Sequence, residues 1–447
     1  MSKPTLPKGT RDFLPQQVAK REFLFNTIRE VFKRYGYHGI ETPAMESLST
    51  LTGKYGEEGD QLLFKVLNNG DYLSKADPQA LEARDSSKLV SSIAKRGLRY
   101  DLTVPFARYV VMHQNDLQLP FKRFAIQPVW RADRPQKGRY QEFYQCDVDV
   151  VGSTSLMYEA ELIQIFDEAY YTLGIPVQIR VNNRKILEGI AEVFGIADQF
   201  SAFAVIIDKL DKIGKERIAE QLCSLGLELS KSQELVATLS IDNLAALKDL
   251  LKDSERGKLG IEELEGIHVY LDSAPTHNEV ILDVTLARGL SYYTGCILEV
   301  KAIGVQMGSI GGGGRYDDLT GNFGLKGVSG VGISLGAERI YDVMEELNLF
   351  HELELGSTQA IILCFDDESH KYGFQLGSDL RKHGISTEIY PEPAKFKKQM
   401  KYAGEGAYNY AIIIGEEERT TNNLTIKNLQ NGDQVKVNKD SIIAFFS

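Results

Sequence analysis

The sequence has few cysteines and histidines and no long apolar run. Its 447 residues include only four cysteines and seven histidines. Neither residue type is grouped with metal-ligand spacing, so we predict buried free thiols, no disulfide framework and no zinc site. No stretch approaches the ~20 apolar residues of a membrane span. The N-terminus lacks an apolar or Arg-rich leader, which predicts a cytoplasmic protein without a membrane partner.

Positive charge is also in deficit. Fifty-one Lys and Arg residues against 62 Asp and Glu residues give a net charge of −11, which argues against nonspecific binding to DNA. Two local basic patches remain, one within Phe121–Tyr140 and one near the C-terminus. The second patch consists of Lys395, Lys397, Lys398 and Lys401. Each patch is either a phosphate-binding surface or simply a solvated face, and taken alone the second reading is the commoner one.

Composition and length indicate a globular chain of several domains. Hydrophobic residues make up 43% and charged residues 25%, and a single core stops growing near ~250–300 residues. Periodicity predicts strands at Phe124–Trp130 and Glu142–Val151 around a long basic loop. Helical runs rich in Leu, Lys and Glu follow between residues 191 and 272. The last 90 residues or so alternate strands with helices, which is typical of a small separate sheet domain.

The most informative segment is the predicted strand Glu142–Val151. A period of two places Gln145, Asp147 and Asp149 on one face. Such a face is either solvated or in contact with a ligand. The neighbouring loop brings Arg131, Arg134 and Arg139 to the same end, which favours a ligand with a cationic part and a phosphate part.

Three other segments carry residues suited to ligand binding. In Leu98–Pro105, read as a strand, Asp101 and Thr103 share a face and suit an ammonium group, or else form only a turn. In LARGLSYY, Arg288 lies in an apolar setting and is either a fixed cation for a phosphate or part of a structural ion pair. The glycines 311–314 allow close backbone approach or form a flexible loop. Arg339 is a phosphate or purine contact, or a surface helix residue.

Together these segments resemble the histidyl-tRNA synthetase family, which belongs to the class II aminoacyl-tRNA synthetases. KGTRDFLP at Lys8–Pro15 is similar to the family's N-terminal signature, and GIETPAMES around Pro43 to motif 1. The longest match, WRADRPQKGRYQEFYQCDVDVVG, is similar to motif 2 and its loop. The remaining matches are LRYDLTVPFARY at Leu98–Tyr109, LARGLSYYTG at Leu286–Gly295, GGGGRYDDL at Gly311–Leu319 and GVGISLGAERI at Gly330–Ile340.

The resemblance implies an α/β (α+β) fold with an antiparallel-sheet catalytic core. It places the catalytic domain at residues 1–345, a helical insertion at 191–272 and a C-terminal α/β anticodon-binding domain at 356–447. The implied activity is ATP-dependent ligation of L-histidine to tRNA(His) through histidyl-adenylate, by a homodimer that uses Mg²⁺ with ATP. The alternative is a non-catalytic paralogue with a regulatory or sensing role, although such paralogues lose motif arginines or the anticodon domain.

Residue roles are also implied by the resemblance. Asp101, Thr103 and Gln145 hold the histidine α-amino group, and the imidazole pocket is formed by Asp149, Tyr292, Tyr293 and Tyr316. Arg131 and Arg288 act at the α-phosphate, where Arg131 also meets the histidine carboxylate. Arg139 and Arg339 complete the ATP site, and the lysine patch at 395–401 serves tRNA. Two positions depart from the family pattern, namely Asp133 and Ser291.

Overall fold

The computed structural model describes residues 3–53, 61–136, 138–287, 293–351, 358–392 and 394–446. The chain divides into two compact units, which we treat separately. The larger unit comprises Met1–Asp12 and Arg21–His351, and the smaller comprises Phe13–Lys20 and Glu352–Ser447. In the described part of the chain, none of the helices combines the length and the apolar character that crossing a membrane requires.

The strands of both units fall into three sheets. They are β1 (His38–Gly39), β2 (Met45–Ser47), β3 (Lys65–Val66), β4 (Arg96–Leu98), β5 (Phe121–Trp130), β6 (Glu142–Val151), β7 (Val177–Asn183), β8 (Glu279–Leu282), β9 (Cys296–Ala302), β10 (Gly311–Tyr316), β11 (Gly330–Gly336), β12 (Thr358–Cys364), β13 (Thr387–Ile389), β14 (Tyr408–Ile414), β15 (Asn423–Asn428) and β16 (Gln434–Asn438).

The α-helices cover the sheets or connect their strands. They are α1 (Pro15–Arg34), α2 (Leu48–Leu51), α3 (Pro78–Glu82), α4 (Ser86–Ile93), α5 (Thr103–Met112), α6 (Met157–Thr172), α7 (Arg184–Val193), α8 (Phe200–Ile207), α9 (Leu210–Ile213), α10 (Lys215–Leu222), α11 (Leu229–Thr238), α12 (Leu244–Leu250), α13 (Glu255–Ser273), α14 (Ala337–Glu346), α15 (Asp367–Lys382), α16 (Phe396–Glu405), α17 (Glu416–Thr421) and α18 (Ile442–Phe446).

The larger unit is built on an eight-stranded sheet with the order β1-β5-β6-β11-β10-β9-β7-β8. Its central pairs are antiparallel, and only the outer pairs β1/β5 and β7/β8 are parallel. The predicted hairpin is therefore confirmed as β5 and β6. A small three-stranded sheet, in the order β2-β4-β3, lies in the same unit.

One face of the large sheet is covered by helices, which leaves the other face for ligands. Phe25 and Phe32 of α1 pack on Tyr144 of β6 and Phe124 of β5. Helix α6 is buried along much of its length because most of its residues are apolar, and it is exposed mainly at its two ends. Since side chains alternate along β6, covering Tyr144 turns Gln145 towards the opposite face.

The segment between β7 and β8 is largely helical, as its composition predicted. Helices α8 to α13 run from Phe200 to Ser273, and apolar residues spaced three or four apart are their buried positions. They belong to the same compact unit as the large sheet. The boundary of a separate insertion at 191–272 therefore stays a prediction.

One local prediction was wrong in its secondary structure, as was one of the two interpretations of the glycines 311–314. The segment Leu98–Pro105 is not a strand throughout, since β4 ends at Leu98 and α5 begins at Thr103. Pro105 favours this outcome because proline is tolerated in the first turn of a helix. The glycines 311–314 are not a flexible loop either but belong to β10, between β9 and β11. The cysteines are free as predicted, although Cys223 is only partly buried.

The smaller unit has a five-stranded sheet in the order β13-β12-β14-β15-β16. The first three strands are parallel and joined by helices, as the alternating pattern predicted. The last two strands, β15 and β16, are antiparallel and were not predicted. Their core-facing residues are few, and β16 is mostly exposed, so the apolar signal there is weak.

Candidate active site

A cleft of about 790 Å³ opens on the uncovered face of the large sheet. Strands β6, β10 and β11 contribute to its floor, and the segment after β4 and the loop between β5 and β6 contribute to its wall. Most of the described residues that we predicted for substrate binding line it. These are Asp101, Thr103, Arg131, Arg139, Gln145, Asp149, Tyr293, Tyr316 and Arg339.

Asp149 lies at one end of the cleft, where residues of neighbouring strands hold its carboxylate. It faces Arg123 directly across the β5/β6 pair, and the two side chains form an ion pair of 2.5 Å between Nη2 and Oδ2. The Tyr316 hydroxyl donates to Asp149 Oδ1 at 2.6 Å. On β11, a Cβ at Gly332 would lie 2.0 Å from the same oxygen, so glycine is required for the carboxylate to fit.

Burial controls the protonation of this pocket. Burial raises the pKa of Asp149, while the Arg123 charge and the hydrogen bonds from Arg123 and Tyr316 act in the opposite direction. Burial, together with the adjacent Asp149 carboxylate, raises the pKa of Tyr316 well above its ordinary value. Tyr316 therefore stays a hydrogen-bond donor at neutral pH. An anionic carboxylate held by a cation and a phenol suits a polar ligand with N–H groups.

The two preceding positions on the same face of β6 leave acceptors unused. Gln145 Nε2 donates to Ser334 Oγ at 3.0 Å, while Gln145 Oε1 and Asp147 Oδ1 are buried without a partner among the described residues. The pKa of Asp147 is raised to about 7, chiefly by burial and also by the neighbouring carboxylates Asp149 and Asp101, while the Arg123 charge and the Ser334 hydroxyl act in the opposite direction. Buried acceptors of this kind are normally satisfied, so they indicate a ligand with donors.

Asp101 and Thr103 both line the cleft, but not because they alternate along a strand as predicted. Asp101 precedes α5 and is buried, and both of its carboxylate oxygens lie 3.4 Å from the Val104 amide nitrogen. Thr103 is the first residue of that helix. Their common location is produced by the start of a helix, not by strand alternation, yet both residues line the cleft.

Arginines lie at the other end of the cleft. The Arg131 Nε donates to Tyr100 O at 2.9 Å, and its guanidinium lies 5.2 Å from the Phe143 ring centroid. Arg339 Nε donates to Gly138 O at 3.1 Å, and its Nη1 donates to Ser309 O at 2.6 Å. The surface-helix reading of Arg339 is thus wrong, since the side chain joins two loops that border the cleft.

Four predicted features lie outside the described residues or away from the cleft. The structure does not describe residues 288–292. The predictions for Arg288, Ser291 and Tyr292, including an ion pair at Arg288, therefore stay predictions. The four lysines of the C-terminal patch are exposed at the start and along one face of α16, in the smaller unit. In the described ranges, no three His, Cys, Asp or Glu side chains are placed to hold a metal ion.

Sequence reasoning missed the N-terminal anchor of the site. Glu338, which is buried next to Arg339, forms ion pairs with both Arg11 and Arg21. The Arg11 guanidinium also lies 3.4 Å from the Tyr140 ring centroid. Gln141 N–H donates to Gly9 O at 2.9 Å. The segment that resembles the N-terminal signature therefore clamps the loop between β5 and β6 to the start of α14.

The role of Arg123 was also missed. It was counted only as part of a basic patch, although it is fully buried and its guanidinium lies 4.4 Å from the Phe106 ring centroid. The available signal was the hairpin register, because a two-residue period on both strands places position 123 opposite position 149.

Comparison with known proteins gives consistent results. The family model for histidyl-tRNA synthetase matches residues 9–77 and 71–340, and that for an anticodon binding domain matches 359–447. The histidine–tRNA ligases of Phocaeicola vulgatus and Porphyromonas gingivalis are each 52% identical, with 99% of this chain covered in both cases and 99% and 98% of those proteins. The crystal structure of histidyl-tRNA synthetase from Nostoc sp. PCC 7120 superposes with a TM-score of 0.84 at 29% identity, covering 100% of this chain and 99% of that one.

Proposed function

Because the chain belongs to the histidyl-tRNA synthetase family and is a histidine–tRNA ligase, we propose that the cleft on the large sheet is its adenylate-forming site. The observation that carries this assignment is the order of charges along one face. Buried carboxylates at Asp101 and Asp149 and guanidinium groups at Arg131 and Arg339 line the same cleft, with Asp149 near one end of the β5/β6 pair and Arg131 directly after the other end. Histidine and ATP present the complementary charges.

Histidine binds over β6 in this proposal. Asp149, held by Arg123 and Tyr316, accepts a hydrogen bond from the imidazole, and Tyr293 and Tyr292 complete that pocket. Asp101, Thr103 and Gln145 receive the α-ammonium group. The buried and unused Oε1 of Gln145 supports this role, because a charge-assisted hydrogen bond to the ligand would satisfy it.

ATP binds at the arginine end. Arg131 contacts the α-phosphate and the histidine carboxylate, Arg288 contacts the α-phosphate from the other side, and Arg139 and Arg339 hold the rest of the nucleotide. The histidine carboxylate attacks the α-phosphorus and pyrophosphate leaves. No protein nucleophile is required, since orientation and charge stabilisation dominate phosphoryl transfer. A Mg²⁺ ion bound to ATP would neutralise part of its phosphate charge.

The second step transfers the histidyl group to tRNA(His). We assign tRNA recognition to the C-terminal domain at 356–447, with the helical segment at 191–272 as an insertion in the catalytic domain of residues 1–345. The exposed lysines of α16 support a phosphate contact. In the described part of the chain, Lys397 and Lys398 have no carboxylate within ion-pair distance, whereas Lys401 pairs with Glu405 at 3.6 Å.

A homodimer in the cytoplasm completes the proposal. The segment that resembles motif 1 includes Met45, which is exposed, as is Met112 at the end of α5. Arg108 forms an ion pair with Glu46, the residue after Met45, at 2.6 Å, and its Nη1 lies 3.4 Å from Met112 Sδ. Exposed methionines around a fixed ion pair are suited to a protein interface. Light scattering coupled to size exclusion should give twice the mass of one chain.

The proposed site is tested by ATP–pyrophosphate exchange. The purified protein should catalyse exchange only when L-histidine is present, and should then charge a tRNA(His) transcript. Arg288→Ala should lower the exchange rate by more than tenfold while retaining histidine binding, because its charge matters most as the α-phosphate becomes more anionic. Histidine-dependent charging with no effect of Arg288→Ala or Arg131→Ala would place the reaction elsewhere.

A further inference from the structure

One carboxylate in the cleft has no role in the assignments above. Asp147 lies between Gln145 and Asp149 on the same face of β6, about 7 Å along the strand from each. It is 2% exposed, it lines the cleft, and its Oδ1 has no hydrogen-bond partner in the described part of the chain. A buried carboxylate oxygen without a donor is costly in the free protein.

The neighbouring strands explain why no protein group satisfies it. The residues opposite Asp147 are Ala125 on β5 and Ser334 on β11. Alanine offers no donor, and the single hydroxyl of Ser334 can serve only one oxygen of the carboxylate. Arg123, the nearby buried cation, forms its ion pair with Asp149. Arg123 Nε and Nη1 are also buried without a partner in the described part of the chain, so they do not donate to Asp147 either. Asp147 thus lines the cleft with one carboxylate oxygen that no described protein group satisfies.

The charges around this position call for a cation. The groups that act on Asp147 are Asp149 on its own strand, Arg123 on β5 and Asp101 before α5, with the Ser334 hydroxyl on β11. Three carboxylates against one guanidinium leave two negative charges in excess when all are ionised. We propose that Asp147 is a further histidine-binding residue, whose carboxylate receives the α-ammonium group of the substrate. This inference rests on the proposed histidine site.

The inference has a consequence for pH. Burial raises the pKa of free Asp147 to about 7, and an ammonium group bound to the ionised form lowers it. Histidine binding at pH 7 therefore releases protons from Asp147, and the affinity that this residue contributes is present above its free pKa and is lost as the pH falls below it. The substrate imidazole, with a pKa near ~6.5, adds its own proton change, so the difference between protein variants is the informative quantity.

The experiment compares the full-length protein with Asp147→Asn, which keeps the shape and removes the charge. L-histidine binding is measured by titration calorimetry at pH 7 in two buffers of different ionisation enthalpy, which gives the protons released. Inhibition of exchange is measured with two histidine analogues. Histamine has the ammonium group but no carboxylate, and imidazolepropionate has the carboxylate but no ammonium group. Asp211→Asn, at the cleft border and paired with Lys301, is the matched control.

We expect Asp147→Asn to weaken the binding of L-histidine and of histamine by about 10-fold or more, because a charge-assisted hydrogen bond is lost. Imidazolepropionate should change by less than about twofold, and the proton release should fall. Equal weakening of imidazolepropionate, or unchanged affinity and proton release, overturns the inference. Asp149→Asn distinguishes a failure of the Asp147 inference from a failure of the proposed histidine site. If this variant also leaves histidine binding unchanged, the proposed histidine site itself is wrong.

Discussion

Single residues in this cleft act through partners that lie on other strands. Asp149 is useful as an anion only because Arg123 lies opposite it and Tyr316 donates to it. Without them, burial would favour the neutral acid. Arg339 is similarly fixed by carbonyl groups of Gly138 and Ser309. Residue-level predictions therefore concern which charge or donor is lost, and which partner is left without it.

Asp149→Asn should raise the KM for histidine by about 10–100-fold, with a much smaller change for ATP, because a charged acceptor is replaced by a neutral amide. The measurement is the exchange assay with each substrate varied in turn. A larger rise for ATP than for histidine would remove Asp149 from the imidazole pocket.

Arg339→Lys should raise the KM for ATP by about tenfold or more while the KM for histidine changes little. Lysine keeps the charge but lacks the planar fork that joins Gly138, Ser309 and a nucleotide at once. The same exchange assay measures both constants. If the lysine variant equals the original protein, charge alone is sufficient at this position.

At the scale of elements, the site depends on segments that are distant in sequence. The loop between β5 and β6 carries Arg131 and Arg139, and the segment before α1 binds it through Gly9 and Arg11. The Gly9 φ of +81° and the 2.7 Å distance from its ideal Cβ to Gln141 Cγ exclude larger residues there. The N-terminal segment is thus part of the nucleotide end of the cleft.

Arg11→Met should raise the KM for ATP several-fold and leave the KM for histidine nearly unchanged. The variant removes the contacts with Glu338 and the Tyr140 ring, which together hold the loop, and misplaced phosphate contacts lower the rate of a positioned reaction. Lys8→Met, an exposed change in the same segment, is the control. An equal effect of both variants would indicate general loosening of the N-terminus instead.

At the scale of the whole molecule, chemistry and tRNA recognition are assigned to different compact units. The larger unit contains the described residues that line the cleft, and the smaller unit contains the exposed lysines of α16. In a chain with a net charge of −11, such a local excess of exposed lysines is the expected footprint of a polyanion.

The double substitution Lys397→Glu and Lys398→Glu should weaken tRNA(His) binding. The slope of log K against log salt concentration should become shallower by the equivalent of about two phosphate contacts. The rate of ATP–pyrophosphate exchange should not change. Filter binding at several salt concentrations measures both quantities. The control is Lys371→Glu with Lys382→Glu, since these lysines on α15 already pair with Glu368 and Asp379. Equal affinity and salt slope in the two double variants would make the α16 patch an ordinary solvated face.

Much of the cleft was predictable because strand alternation is a local property. The period of two placed Gln145, Asp147 and Asp149 together, and the structure confirms that shared face. The same local property caused the error at Leu98–Pro105, because a short segment before a helix can show the same alternation as a strand. The strands β15 and β16 were missed because they bury few apolar side chains.

The sequence by itself determined the hairpin, the helical character of the middle segment, the alternating pattern of the C-terminal unit and the resemblance to the family. These depend on periodicity and on motifs, which are contiguous in the chain. Tertiary structure alone decided the pairing of Arg123 with Asp149, the convergence of Arg11 and Arg21 on Glu338 and the unsatisfied oxygen of Asp147. Such contacts join residues far apart in sequence, and their charges are set by burial, which no local pattern records.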